Sequence, residues 1–441
     1  MSATESSSFE KLLIESNDQK NRVDLRGGIV SIDYYEDMLS PSITAKVRII
    51  DTGSTSIDTE DKKREGLVSG LPLRGGERLS MKILDQGTTG NGEQKVGLDF
   101  TDPERNLFVS SVTQVLQDTR RESFLLNLVS REAIANETTR VYKRYKNTIS
   151  DSVKKILKDH LDVDKSKLDE IVEQTKGSYN FLGNLRKPFS LLISLATKSI
   201  PNKSGGATAG FVFFQTQDGF HFKSVEKLIS QKSKALYTYS ESSEHSTTNN
   251  NDFRILKYTV DKNQDLIGNL RMGTYVFNRL TFDPRTFQFK QSTHNYFEKN
   301  KPSKKDIMNH LGREQIILPE QITKSPSRVL AQVVDIGATS EISKTPNYDI
   351  DDFLGQNIMR YNILNTQNLS MTVPCNTDLR AGDVIECNFP KISTTDDDGG
   401  DDLTSGKYLI KELCHHFEAN RSFTSMKLIR DTFGRAQEVE S

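Results

Sequence analysis

The apolar residues of this chain change their period twice, and that change limits the architectures open to it. Ile43, Ala45, Val47 and Ile49 alternate with Thr44, Lys46 and Arg48, the two-residue rhythm of a strand with one buried face. The same rhythm predicts strands at Ile29–Tyr35, Leu79–Leu84, Lys95–Phe100 and Leu107–Leu116, and again through Phe124, Leu126 and Leu128. Gly27-Gly28, Ser40-Pro41-Ser42 and a turn at Asp118 punctuate them. Residues 51–78 are polar and glycine-rich and read as a long loop. Near residue 150 the spacing becomes helical. Val153, Ile156, Leu157 and Leu161 follow a cap at Ser150-Asp151, and Leu168, Ile171 and Val172 follow one at Ser166, with helix expected from Leu168 to Lys176. Pro188 opens a third run, Phe189 to Ser199, at the position where a helix tolerates proline.

The second change restores strands. Asp218-Gly219 between two aromatic runs is a hairpin signal, and Ser224 caps a short helix, Val225 to Ile229. Ser240 to Asp252 is almost wholly polar and reads as a loop. Val276, Leu280 and Phe282, a turn at Asp283-Pro284-Arg285, and Phe287 with Phe289 read as further strands. Residues 291–357 are polar, with one short helix at Ile307, Met308 and Leu311. A helix from Phe353 to Leu364 then leads into strands at Leu369–Val373, Asp383–Asn388, Tyr408–Glu418 and Phe423–Asp431. The fold class is therefore α+β, mainly β: two small antiparallel β-barrel domains with an inserted helical α+β domain and a polar extra segment. The division places a first, tube-like barrel at 1–136 and the α+β domain with its Asp-Gly hairpin at 137–230. The second barrel takes 231–290 and 358–432, and a peripheral connecting part takes 291–357 and 433–441.

Charge narrows the function. Fifty-nine basic residues against 60 acidic ones leave a net charge of −1, which argues against a dedicated DNA binder built on clustered cations. No run approaches the ~20 apolar residues that span a bilayer, so no stable membrane insertion is expected. The polar start, Met1 to Ser8, lacks the basic and apolar regions of a signal peptide. Three cysteines, Cys375, Cys387 and Cys414, cannot form a paired disulfide framework.

A search for chemistry rejects each candidate. Gly400 to Tyr408 imitates a phosphate loop, but five residues separate its glycines and Tyr408 replaces the hydroxyl that would hold magnesium. Asp162, Asp164, Ser166 and Glu173 fall at calcium-loop positions, yet Lys167 stands where the sharp turn needs glycine. Asp396 to Asp402 reads as a solvated acidic loop tip rather than a cation site. Cys414 and His415 point to opposite faces of a strand and cannot act as nucleophile and base. His416 shares a face with Cys414, and Cys375 and Cys387 are expected on neighbouring strands, but no pair has typical zinc spacing. His221 reads as a packed strand residue and Lys301 to Lys305 as a solvated helix start. No catalytic, cofactor-binding or metal residue is assigned, no cofactor is expected, and the chain is not read as an enzyme.

Three stretches carry a family resemblance. The first is the aromatic hairpin and helix from Gly210 to Leu228; the second is Gly273-Thr-Tyr-Val-Phe-Asn-Arg-Leu-Thr-Phe-Asp283. The third is Leu369-Ser-Met-Thr-Val-Pro-Cys-Asn-Thr-Asp-Leu-Arg-Ala-Gly-Asp-Val-Ile385, followed by Ser405-Gly-Lys-Tyr-Leu-Ile-Lys-Glu-Leu-Cys-His-His-Phe417. With its element order, the chain resembles the central baseplate hub protein of contractile-tailed phages of the T-even and cyanophage kind. Cys375 stands where that pattern usually has glycine. The resemblance implies a homotrimer whose two barrels per copy make a pseudo-sixfold ring between the hexameric tail tube, or a tube-initiator protein, and the trimeric central spike. It further implies contact with the tape measure protein and adjacent wedge proteins, DNA passing through the lumen, and a place in the virion tail baseplate after assembly in the host cytoplasm. A tail-associated peptidoglycan hydrolase, an injection-machine spike hub and a carbohydrate-binding tail-tip protein are the rival readings.

Overall fold

A computed structural model describes residues 7–52, 57–58, 64–65, 67–85, 97–202, 210–239, 253–284, 286–297, 309–312, 317–335, 337, 347, 351–391, 401 and 403–434. The alternating segments form strands as their rhythm requires. The first region contains β1 (Ser8–Glu15), β2 (Arg22–Asp24), β3 (Ile29–Asp37) and β4 (Thr44–Asp51). It continues with β5 (Ile57–Asp58), β6 (Arg64–Glu65), α1 (Leu67–Gly70), β7 (Arg78–Leu84), β8 (Leu98–Phe100), β9 (Leu107–Gln117) and β10 (Glu122–Ser130). The stretch expected as a polar loop thus supplies Leu67, Leu71 and Leu73 to the first core, beside Val47, Ile49, Phe100 and Leu126. Three spaced leucines are too few to show a period, but enough to pin a loop.

The helical block begins earlier than its period suggests, with α2 (Arg131–Thr138) and β11 (Arg144–Tyr145) ahead of α3 (Ile149–Leu161). Thr148, two residues before the expected cap, accepts the Asp151 N–H through its hydroxyl at 3.1 Å. The next helix, α4 (Leu168–Ile171), stops five residues short of Lys176. Glu173 N–H donates instead to the Phe222 carbonyl at 3.0 Å, so tertiary pairing overrides the local helical pattern. There follow β12 (Phe181–Leu182), α5 (Pro188–Ala196), the hairpin of β13 (Phe211–Thr216) and β14 (Gly219–Ser224), and α6 (Val225–Ile229), capped by the Ser224 hydroxyl as expected. The stretch 240–252 lies outside the described residues.

Beyond it lie β15 (Leu236–Thr238), β16 (Lys257–Lys262), α7 (Leu266–Met272), β17 (Val276–Asp283), β18 (Gln288–Asn295), α8 (Glu320–Lys324) and β19 (Arg328–Val333). Sequence pattern alone missed β15, β16, α7, α8 and β19. In β19 the apolar Val329 and Val333 point outward, 67% and 64% exposed, so the strand does not advertise a buried face. Ile307 and Met308 lie outside the described residues, and Leu311 is buried in irregular backbone rather than helix. The chain closes with α9 (Asp351–Ile363), β20 (Gln367–Pro374), β21 (Val384–Asn388), β22 (Gly406–Glu418) and β23 (Ser422–Arg430).

The fold is mainly β with an inserted α+β unit, but the strands do not close as two separate barrels. Among the described residues, fourteen strands form one sheet running β16-β20-β23-β22-β3-β4-β10-β9-β7-β1-β2, with β8, β15 and β21 attached at its side, whereas β17 and β18, expected in the second barrel, form a separate three-stranded sheet with β19. The join is made by β22, which is long enough to serve both regions. Its first residues pair with β21 and, after a bulge at Lys411, its remainder pairs with β3 from Glu412↔Asp37 to Glu418↔Ser31. Each region keeps its own apolar core on this shared sheet. A further core mixes Met38, Val212, Phe214, Leu228, Leu364, Val384 and Ile429, so the inserted unit is packed against both.

Beneath that packing lies a buried charge network. Asp431 accepts from Arg360 at 3.2 Å, from the Leu311 N–H at 3.0 Å, and pairs with His310 Nδ1 at 2.8 Å. Arg360 also donates to the Asn309 carbonyl at 2.8 Å and lies 3.6 Å from Glu226. Burial pushes the Asp431 carboxyl up, but the His310 hydrogen bond and charge, then Arg360 and Leu311, outweigh it and hold the group at about 2. Its folded value lies below the ordinary 3.8, so its stabilising share is complete above that pH and drains away as pH falls toward 2. Asp431→Asn should cost about 3–5 kcal/mol in chemical denaturation, because it leaves Arg360 buried beside a neutral partner. It should also flatten the loss of stability between pH 4 and 2.

Candidate functional site

The shared sheet presents an uninterrupted polar face that crosses both β regions. Strand register aligns Lys257, Thr372, Ser425, Cys414, Tyr35 and Thr44 in one row, and Ser370, Lys427, Glu412 and Asp37 in the next. A third row runs His416, Asp33, Lys46, Asn127 and Ser111. Hydroxyls and amides dominate it: Asn127 donates to Ser111 and Thr113 at 3.0 and 3.1 Å, and Thr372 meets Ser425 at 3.3 Å. The charges are matched locally. Lys427 pairs with Glu412 at 2.8 Å, Arg421 with Glu418 at 2.6 Å, His416 with Asp33 and Glu418, and Lys46 lies over the Tyr35 ring. A groove of about 450 Å³ opens between the first two rows.

One carboxylate holds this face to the rest of the molecule. Glu36, 1% exposed, lies on the inward side of β3 beside Ile32 and Tyr34. Its carboxylate accepts from the Tyr34 hydroxyl at 2.8 Å, the Gln217 N–H at 2.7 Å and the Ala381 N–H at 2.9 Å. Those donors come from the first β region, the β13–β14 turn and the loop before β21. Arg380 lies near and is itself tied to Asp218 at 3.0 Å. Burial raises the Glu36 carboxyl to about 7 against the opposing pull of Arg380 and the two backbone N–H groups. Gly382, at φ +87°, completes the joint, since a Cβ there would meet the Phe214 ring at 2.8 Å. The sequence signal for Glu36 was an acid at an inward position of an alternating strand, which sequence reasoning passed over.

The residues singled out from sequence lie apart and have other tasks. Asp162 pairs with Arg131 at 2.5 Å, Asp164 accepts the Ser166 N–H at 3.0 Å, and the Glu173 carboxylate holds Ser224 at 2.7 and 3.0 Å. Cys414 faces Tyr35, its thiol pushed up to about 12 by burial and then by Asp33. His415 points the other way, stacked on Tyr34, with Nδ1 on Thr424 at 2.9 Å. Cys375 and Cys387 belong to different cores, and the expectation of neighbouring strands fails: β21 pairs with β15 and β22, whereas β20 pairs with β16 and β23. Cys375 keeps a backbone outside the left-handed region, so this turn has no need of glycine. His221 stacks on Phe214 and meets Thr216 at 2.9 Å, and burial lowers it to about 4. Tyr408 is buried within a strand, which removes the helix N-terminus that a phosphate loop requires. Asp401 accepts the Leu403 N–H at 3.0 Å; residues 396–400, 402 and 301–305 lie outside the described residues. Among the described residues, no three His, Cys, Asp or Glu side chains gather as a metal site, and no helix is long and apolar enough to cross a membrane.

The fold, a long shared sheet with an inserted α+β unit, is similar to that of two solved tail proteins. The chain superposes on the tail protein of Neisseria meningitidis MC58 with a TM-score of 0.50 at 9% identity, covering 97% of each chain. It superposes equally, at 0.50 and 9%, on the 43 kDa tail protein of prophage MuSo2 from Shewanella oneidensis, covering 96% of this chain and 98% of that one. In sequence it is 20% identical over 301 residues to the "probable baseplate hub protein gp334" of Vibrio phage KVP40, spanning 66% of this chain and 68% of that protein. No family model matches. The resemblance to phage baseplate hub proteins holds, and the virion tail baseplate is the location that goes with it.

The joint has a definite response to pH. Glu36 has a folded value above the ordinary 4.5, so its share of stability is full below 4.5 and is lost as pH climbs to about 7. His416, raised first by its hydrogen bond to Asp33, contributes below its ordinary 6.5 and loses that share above it. Glu36→Gln should lower stability by about 1–3 kcal/mol, because an amide cannot accept from all three donors. Thermal midpoints measured from pH 5 to 8 should show a shallower decline between 5 and 7 in that variant than in the wild type.

Proposed function

We propose that this chain is a structural hub of a phage contractile-tail baseplate. Three copies form a pseudo-sixfold ring joining the hexameric tail tube, or its initiator, to the trimeric central spike. The regions 1–136 and 231–290 with 358–432 are the two tube-like units of each copy; 137–230 joins them, and 291–357 with 433–441 is peripheral. The observation that carries this reading is the polar, charge-matched sheet face that runs unbroken across both β regions. Turned toward a shared axis, it would line a channel for the tape measure protein and then DNA with little grip on phosphate, since Lys427, Arg421 and His416 are already held by acids. Adjacent wedge proteins would meet the outer surface. The mechanism is assembly rather than bond-making, and the tail-protein relatives in sequence and fold support it.

Light scattering tests the reading directly. The 49.8-kDa chain, alone or with its spike partner, should give about 149 kDa, and end-on images should show pseudo-sixfold density. A chain that stays monomeric in both conditions overturns the ring.

A further inference from the structure

A cavity of about 230 Å³ lies where the inserted unit meets the first β region, and the channel reading makes no use of it. The end of β10 and the start of α2 form one wall, the β13–β14 hairpin a second, and the turn after α3 a third. A space of about 150 Å³ already holds benzene, so this one has room for a six-membered ring with its substituents. The lining favours no ion. Arg131 is paired with Asp162 at 2.5 Å and Asp218 with Arg380 at 3.0 Å. Lys223 donates to the Glu170 carbonyl and Arg105 to the Gln217 carbonyl. A charged occupant would meet both signs at once and would have to draw its counter-charge away from a partner.

Neutral hydrogen-bonding capacity is what the lining has to offer. Ser130 and Gln217 are 3% and 8% exposed, and Ser130 Oγ and Gln217 Oε1 have no hydrogen-bond partner. Ser130 stands at the N-cap of α2, where a serine hydroxyl ordinarily accepts from the first turn, yet it makes no such bond. Buried polar atoms are costly to leave unpaired, and two around one cavity mark where a ligand's hydroxyls would complete the set. His221 adds a third group. Its Nε2 meets Thr216 at 2.9 Å, its Nδ1 has no partner among the described residues, and burial lowers it to about 4, so the ring is uncharged at neutral pH. Phe220 and Ile171, both buried, make the rest of the lining apolar.

Hydroxyl, amide and imidazole beside an aromatic ring are the complement of a molecule with hydroxyls around its edge and C–H bonds on its face. We propose that this cavity binds one neutral sugar ring, free or at the end of a glycan, with its hydroxyls on Ser130, Gln217 and His221 and its C–H face against Phe220. The site lies within a single copy, so it does not depend on the ring.

Saturation-transfer NMR on the full chain tests this with glucose, galactose, mannose and N-acetylglucosamine. At least one of them should receive saturation at millimolar concentration. Ser130→Ala should weaken its binding about three- to tenfold with an unchanged melting midpoint. Lys167→Trp, a bulky change at an exposed residue of the lining, should weaken it too while leaving the cores intact. A trisaccharide of the sugar that binds separates the two sources: retained binding assigns the end of a glycan, and lost binding assigns the free sugar. No transfer to any of the four sugars, binding undiminished in both variants, or tighter binding of glucuronate or glucosamine than of glucose overturns the proposal.

Discussion

Everything that spans the two β regions depends on the carboxylate of Glu36. It is buried, and an unpaired carboxylate in that position would ionise only at a cost of several kcal/mol. Three donors from three separate stretches of chain offset part of that cost, and the Arg380–Asp218 pair closes the far side. A group satisfied in this way enforces geometry more than it adds stability. The β13–β14 turn and the loop before β21 have to stand where their N–H groups reach the two oxygens. Moving either stretch would leave a buried acceptor unpaired, so the joint tolerates little relative motion among the three.

The bulge in β22 solves the complementary problem for the backbone. A strand that pairs first with β21 and then with β3 has to change neighbours without orphaning its carbonyls. The Lys411 carbonyl, at the point of exchange, accepts the Met38 N–H at 2.8 Å. Two cores can therefore share one sheet, and the polar face continues across the boundary. Separate closed barrels would have broken that face at every unit.

Most of the architecture was legible because burial writes its period into the sequence. The strands Ile29–Asp37, Thr44–Asp51, Arg78–Leu84 and Glu122–Ser130, the aromatic hairpin and the last four strands bury one face or lie wholly inside, whereas β9 does so only as far as Val109. β19 was invisible for the opposite reason, with valines turned outward, and β16 shows only half-buried and exposed positions. The joining of the β regions was illegible in principle, since alternation specifies which face of a strand is buried but not which strand lies beside it. Glu36 stood in plain view on the inward side of an alternating strand, yet its partners Gln217 and Ala381 are 181 and 345 residues away. The acids of 162–173 were ambiguous in the other direction, because helix caps and calcium loops draw on the same residues at similar spacings, and Lys167 in place of glycine decided for the caps.

A neutral total charge does not say where the charges stand, and on the sheet their placement is what counts. On the sheet face, Lys427, Arg421 and His416 each lie against an acid of the same chain, so a passing polyanion would have to displace that acid to gain a contact. A face whose cations stood apart from acids would offer each of them to a phosphate. The distinction is one of geometry. Cross-strand neighbours in a sheet stand about 5 Å apart, so opposite charges placed in register neutralise one another. On the hub reading, a conduit has to let phosphate pass without holding it, and opposite charges set in register across the sheet meet that demand.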